Sequence, residues 1–213
     1  MFSREKIGVL LSEVLGTAVL TMGVLTLTAR TTFSVTVAAG LGLVLGFLVL
    51  SLGDVSGAVF NPAITIALWT VKKISSMQAI VYIVAQFLGA LAAWRLFEFM
   101  RHETILSIAD KNFDWRIFVG EVVGTFILAF GVATAFSRDY SGLKAAATVG
   151  GAIACGVLFA ALSSNAVLNP AVAYGVQSVS KTYMVAPILG AVIGMNMYVL
   201  FFAPLPAKKI RKK

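Results

Sequence analysis

Few residues of this chain have the chemistry of an active site. Its 213 residues include nine carboxylates, one histidine and one cysteine. His102 lies in a charged loop and Cys155 in an apolar segment. A single cysteine makes no internal disulfide and no Cys-rich metal site. This scarcity argues against a metal or acid–base enzyme, and no cofactor is expected. What stands out is a triplet that occurs twice. Asn61-Pro62-Ala63 lies in "SGAVFNPAITIALW" (56–69), and Asn169-Pro170-Ala171 in "NAVLNPAVAYG" (165–175). Two of the chain's five prolines are in these triplets. Asn is a strong N-cap and Pro is preferred at the first helical position, so each triplet is predicted to begin a helix. An Asn amide also donates hydrogen bonds without carrying charge, which suits the handling of neutral polar molecules. Two carboxylates, Glu13 and Glu121, sit inside apolar runs. Each would cost ~3 kcal/mol facing lipid, and isolated carboxylates in such places often mark proton or ion pathways.

The elements that must position these residues are apolar. The chain is 59% hydrophobic and 12% charged, with a mean hydropathy of +0.94. Soluble domains are about a quarter charged. Six long apolar segments are predicted to span a membrane: 9–29, 33–52, 77–99, 118–136, 145–162 and 184–202. Each approaches the ~20 residues that a bilayer requires. The first run is too long for a signal-peptide core and is read as the first span. Two short segments, 61–71 and 169–179, are long enough for helices of ~15 Å, about half the hydrocarbon core. With the N-terminus inside, eleven of the seventeen basic residues fall on the inner side, including the closing "AKKIRKK" (207–213). That asymmetry predicts cytoplasmic termini. The tail is expected to meet lipid headgroups rather than nucleic acid.

The chain repeats internally. "SEVLGTAVLTMG" (12–23) matches "GEVVGTFILAFG" (120–131), and 108 residues separate Glu13 from Glu121. The same offset separates Asn61 from Asn169. "AQFLGA" (85–90) and "APILGA" (186–191) match at an offset of 101. Each half, about 7–107 and 115–206, therefore holds three spans and one short helix. Three is odd, so the second half enters from the opposite face, as in inverted-repeat transporters and channels. In hydrocarbon such breaks survive only inside protein or around a wet cavity. The two short helices are thus predicted to enter from opposite sides and meet near the midplane. Each would bring the positive end of its dipole there, repelling cations. Gly42/Gly46, Gly120/Gly124 and Gly190/Gly194 have the spacing of close helix contacts.

With these residues in place, the chain resembles the aquaporin and glycerol-facilitator family, the major intrinsic proteins. The resemblance runs from Glu13 to the last span. It rests on the paired Glu-x-x-Gly-Thr segments, Ser56-Gly57-Ala58, both Asn-Pro-Ala triplets, Ala85-Gln86 with Gly89-Ala90, and Pro187 with Gly190-Ala191. It implies an all-α membrane protein of six tilted spans and two re-entrant half-helices, a single channel domain over 1–213. It also implies one pore per subunit and a homotetramer. Glu13 and Glu121 would accept hydrogen bonds from the re-entrant loops, and Asn61 and Asn169 would donate to the passing solute. Asp54 would face the inner vestibule or cap a turn.

The chain departs from the family at the outer constriction. There, the family usually has Arg after the second triplet, where this chain has Val172. Carried over by spacing from each triplet, the other positions are Leu41, Val157 and Ala166. Water-selective members typically have an aromatic at the first position and His at the second. Glycerol facilitators keep aromatics and the Arg. Val59 replaces the His often found before the first triplet. A wholly apolar ring either dewets and closes or admits bulkier, weakly polar solutes.

The expected function is a passive channel for water and small uncharged solutes such as glycerol. Two rivals stay open: a closed or structural membrane protein on the same scaffold, and a secondary transporter. No G-x-x-x-x-G-K-S/T loop for ATP is present. The expected partners are neutral solutes and the bilayer. The compact tails suggest a prokaryotic plasma membrane.

Overall fold

Long apolar runs leave the backbone one economical option in lipid, the helix, which pairs its own peptide groups. The computed structural model describes residues 3–32, 34–107 and 112–204. Phe33, Asp110, Lys111 and the basic tail 207–213 lie outside the described residues, and so does the expectation about that tail. Among the described residues, six helices are long and apolar enough to cross a membrane. They are α1 (Arg4–Thr28), α2 (Ser34–Ser56), α4 (Ser76–Arg101), α5 (Trp115–Ser137), α6 (Gly142–Ala160) and α8 (Lys181–Phe201). Two short helices, α3 (Pro62–Thr70) and α7 (Pro170–Gly175), begin at the two prolines. The described residues contain no strand.

Polar residues cap these helices. Ser3, Ser75 and Ser180 accept hydrogen bonds from the backbone N–H groups of Lys6, Gln78 and Tyr183. Asp114 caps α5 by accepting from the Arg116 N–H at 2.7 Å. The Arg116 side chain also donates to it, and these bonds hold the Asp114 carboxyl below its usual range. The short helices end alike. Lys72 and Gln177 both take φ of 59°, and the following N–H groups return to the carbonyls of Leu68 and Ala173. For α7 this closure comes early. The second short helix ends at Gly175, not near Val179 as the apolar run predicts, because Gln177 turns left-handed and Ser178 N–H closes the end.

The packing follows the repeat. In the first half α1 packs on α2 and α4; in the second, α5 packs on α6 and α8. The halves join where α2 meets α6, and each short helix lies against the last span of the other half, α3 on α8 and α7 on α4. The inverted three-plus-three architecture is the one that the odd number of spans per half predicts. Glycines set the closest approaches. Gly42 faces the carbonyl oxygen of Gly150 across α2 and α6, and Gly124 that of Gly156 across α5 and α6. A Cβ on Gly89 would overlap the Val14 carbonyl oxygen, and one on Gly190 that of Val122. Outward-facing Leu15, Leu43, Phe47, Leu88 and Leu200 give the bundle the apolar exterior of a membrane protein.

Because backbone cannot yield as a flexible side chain does, Gly89→Val and Gly190→Val should each destabilise the fold by about 1–3 kcal/mol, the usual cost of overpacking. Gly151→Ala, where a Cβ meets nothing within 4 Å, should leave stability unchanged or slightly raised. Thermal unfolding in detergent measures both.

Candidate functional site

Each short helix is reached through a loop that leaves the end of a span and turns back. These loops strain the backbone at matching positions. Ala58 and Ala166 both have φ of 51°, and Phe60 and Leu168 have 47° and 56°. Non-glycine residues rarely take such values, which persist only when the surroundings impose them. The imposing groups are two buried carboxylates. Glu13 Oε1 accepts from Ser56 Oγ at 2.6 Å and from the Val59 N–H at 3.2 Å. Its Oε2 accepts from the Phe60 N–H at 2.9 Å and from Gln86 Nε2 at 2.7 Å. Glu121 repeats the pattern. Its Oε1 accepts from Ser164 Oγ at 2.8 Å and Val167 N–H at 3.0 Å, and its Oε2 from Leu168 N–H at 2.8 Å. Both carboxylates are fully buried. Two tyrosines fix the same loops at their bases. Tyr82 Oη donates to the Ser56 carbonyl at 2.7 Å, and Tyr183 Oη accepts from the Asn165 N–H at 3.1 Å.

So held, the loops bring Asn61 and Asn169 together. Both residues are extended, at φ −152°, ψ 117° and φ −154°, ψ 112°. Asn61 Oδ1 accepts from the Ala63 N–H at 2.9 Å. Asn169 Oδ1 accepts from the N–H groups of Ala171 and Val172 at 3.0 and 3.2 Å. Pro62 and Pro170 occupy the first turns, where no N–H is needed. The amide nitrogens then cross. Asn61 Nδ2 donates to the Leu168 carbonyl at 2.9 Å, and Asn169 Nδ2 to the Phe60 carbonyl at 2.9 Å. Each NH₂ has two hydrogens, so one remains on each side chain. With Oδ1 turned to its helix, each Asn presents that remaining hydrogen to a neighbour as a donor.

Both asparagines line one cavity of about 210 Å³. That is room for several waters at ~10–15 Å³ each. Leu41, Val157, Ala166 and Val172 line it too, and so does Val59. Ala63, Pro62, Pro170 and Ala171 are buried behind it. Asp54, in the last turn of α2, lines the opposite end from Leu41. Other parts of the wall escape sequence reasoning, among them Leu20, Val24, Leu45, Leu128, Val132 and Ile153. The 108-residue offset was the available signal, because it pairs Leu20 with Leu128, Val24 with Val132 and Leu45 with Ile153. Asp139 and Tyr140 are further lining residues not singled out by the sequence. Among the described residues, the only charged side chains in the lining are Asp54 and Asp139. The nearby cations turn elsewhere. Arg138 Nε donates to Tyr198 Oη at 2.9 Å, a bond that holds the guanidinium pKa above its usual value. Lys144 Nζ sits 3.9 Å from the centroid of the Tyr140 ring.

Six spanning helices around a cavity, with two half-helices meeting at paired donors, define a multi-pass membrane channel. The sequence model of the family described as Major intrinsic protein matches residues 2–198. The chain is 34% identical to Aquaporin NIP1-1 of Zea mays over 95% of its own length and 78% of that protein. It is 32% identical to Nodulin-26 of Glycine max over 74% of its length, spanning 62% of that relative. With Aquaporin AqpM of Methanothermobacter marburgensis it shares 31% identity over 74% of each chain. Its fold superposes on the X-ray structure of the aquaglyceroporin from Plasmodium falciparum with a TM-score of 0.77, at 23% identity, covering 90% of this chain and 95% of that one. The chain belongs to the major intrinsic protein family, whose members are passive channels for water or small solutes, not enzymes. Plant proteins among these relatives give no support to the expectation of a prokaryotic source.

Replacing either buried carboxylate with Gln sets an NH₂ against a backbone donor in either orientation, because both oxygens accept from backbone N–H groups, and leaves the other donors a weaker, uncharged acceptor. An unsatisfied buried donor costs ~1–3 kcal/mol. Glu13→Gln and Glu121→Gln should therefore each lower thermal stability in detergent by at least that much, while exposed Glu5→Gln should not.

Proposed function

We propose that this chain is a passive channel for water and small uncharged solutes such as glycerol, with an apolar outer constriction made by Leu41, Val157, Ala166 and Val172. The observation that carries this reading is the single cavity lined by all four residues and by the donor faces of Asn61 and Asn169. A solute passing the asparagines meets their remaining amide hydrogens, so it is best served by offering lone pairs, as water and alcohols do. At the outer ring no side chain donates or carries charge. A solute there sheds hydration without side-chain replacement, which favours weakly polar species over strongly hydrated ones. Cation exclusion rests on the positive ends of α3 and α7, with no cation among the described lining residues to help.

Secondary transport is disfavoured by the engagement of Glu13 and Glu121 with loop donors, which leaves neither as a coupling site. The charge asymmetry of the loops supports cytoplasmic termini in a plasma membrane. The whole chain acts as one channel unit, and family resemblance supports a homotetramer with one pore per subunit.

Stopped-flow light scattering on protein in liposomes tests the reading. Water flux above that of empty liposomes, with a low activation energy, and glycerol uptake in the same vesicles are expected. Val172→Arg should lower the glycerol-to-water ratio several-fold by narrowing the ring. If neither flux exceeds the empty control, the channel reading fails and a closed scaffold replaces it. Water flux appearing only in Val172→Arg would locate the block at the outer ring.

A further inference from the structure

The repeat offset does more than pair the asparagines. Applied to the outer ring, 108 residues relate Val157 to Val49, Ala166 to Ala58, Val172 to Ile64 and Leu41 to Val149. All four of these counterparts also line the cavity. They come from the equivalent elements: α2, the first loop, the first turn of α3, and α6. The backbone positions them alike. Ala58 and Ala166 share a φ of 51°, and Ile64 and Val172 each follow the capping Asn by three residues. The Asn amides cross between the two repeats, both at 2.9 Å.

The two sets have the same composition. Each contains one Ala, two Val and one six-carbon aliphatic residue, Leu41 in one and Ile64 in the other. Three of the four counterparts are as buried as the outer ring, with Ala58 at 6%, Ile64 at 2% and Val149 at 7% exposure. Nothing in side-chain volume or polarity makes one set the wider.

We propose that Val49, Ala58, Ile64 and Val149 form a second selectivity ring, in series with the outer ring and of comparable resistance. The inference rests on the channel reading above. It makes selection a product of two apolar passages separated by one pair of donors. A solute gives up side-chain hydrogen bonding, regains it at Asn61 and Asn169, and gives it up again. The two ends differ in charge, since Asp54 and Asp139 line the cavity at the end of the second ring. Their repeat counterparts are Leu162 and Thr31.

Series resistances give the test a distinct signature. Uptake of erythritol, a four-carbon polyol, would be measured in proteoliposomes beside water flux. The proteins compared are the unaltered chain, Ile64→Ala with Val149→Ala, Leu41→Ala with Val172→Ala, and all four together. With two equal barriers, widening either ring at most doubles erythritol flux, because the other still limits it. Widening both should raise flux well beyond the product of the separate gains, a coupling read from the mutant cycle. A gain of flux cannot come from misfolding. As a second reading, Val149→Cys in a Cys155→Ser background should lose water flux on treatment with a bulky thiosulfonate. The proposal is overturned if the outer pair alone gives the full gain, or if the inner pair and the modified Cys change nothing. If the unaltered chain passes water but no erythritol and the fourfold variant passes both, the two rings together exclude the polyol and the proposal stands. Silence in every variant removes the channel reading itself.

Discussion

A chain that turns back halfway across a membrane must find a partner for every peptide group it exposes there, since no bulk water is at hand. In this protein two carboxylates meet that requirement. Glu13 and Glu121 each collect adjacent backbone N–H groups and a serine hydroxyl from one loop. Their charge makes these bonds stronger than neutral ones. The reach of one carboxylate fixes two successive residues in a loop, and so forces the left-handed backbone at Phe60 and Leu168. That backbone aims the asparagines at each other. The half-helices, the cavity and the donor pair all follow from this one interaction made twice. The two carboxylates differ in one partner: Gln86 Nε2 gives Glu13 a further donor, whereas Pro187 stands at the matching place in α8.

Much of this architecture is legible in the sequence, for physical reasons. A span needs a run of apolar residues whatever its neighbours, so the six spans can be read directly. The Asn-Pro signal is local, because capping and the absent proline N–H act within one helical turn. Repeat matching needs only identity at a distance. The cavity wall is different. The spans are apolar on every side, so no polar stripe distinguishes the face toward the cavity from the face toward lipid. Leu45 and Leu43 look alike in sequence, yet one lines the cavity and the other is among the most exposed residues of its helix. The early end of α7 was hidden for a related reason: Val176 continues an apolar run, and only the left-handed Gln177 stops it. Asp139 reads as an ordinary loop charge, and only the packing of α5 against α6 places it at a cavity mouth.

The electrostatics of the cavity is simple because so little side-chain charge enters it. The lining is aliphatic, with donors at its centre and two carboxylates at one end. Field along such a path comes mainly from backbone dipoles, which are fixed by the fold and do not titrate. Arg138 and Lys144 contact tyrosines and are not in the cavity lining, so Asp54 and Asp139 are the charged side chains of its described wall.

The crossed asparagine bonds also bear on how the protein is made. Asn61 donates to a carbonyl 107 residues later in the chain, and Asn169 to one 109 residues earlier. During synthesis the first loop exists long before its partner. Glu13 and Gln86 can secure the base of that loop from within the first half, but its tip has to wait. Until α7 arrives, the first half-helix has neither its reciprocal donor nor the far wall of its cavity. The N-terminal half alone therefore lacks partners that only the second half supplies, and the two tips can close on each other only after α7 has been made.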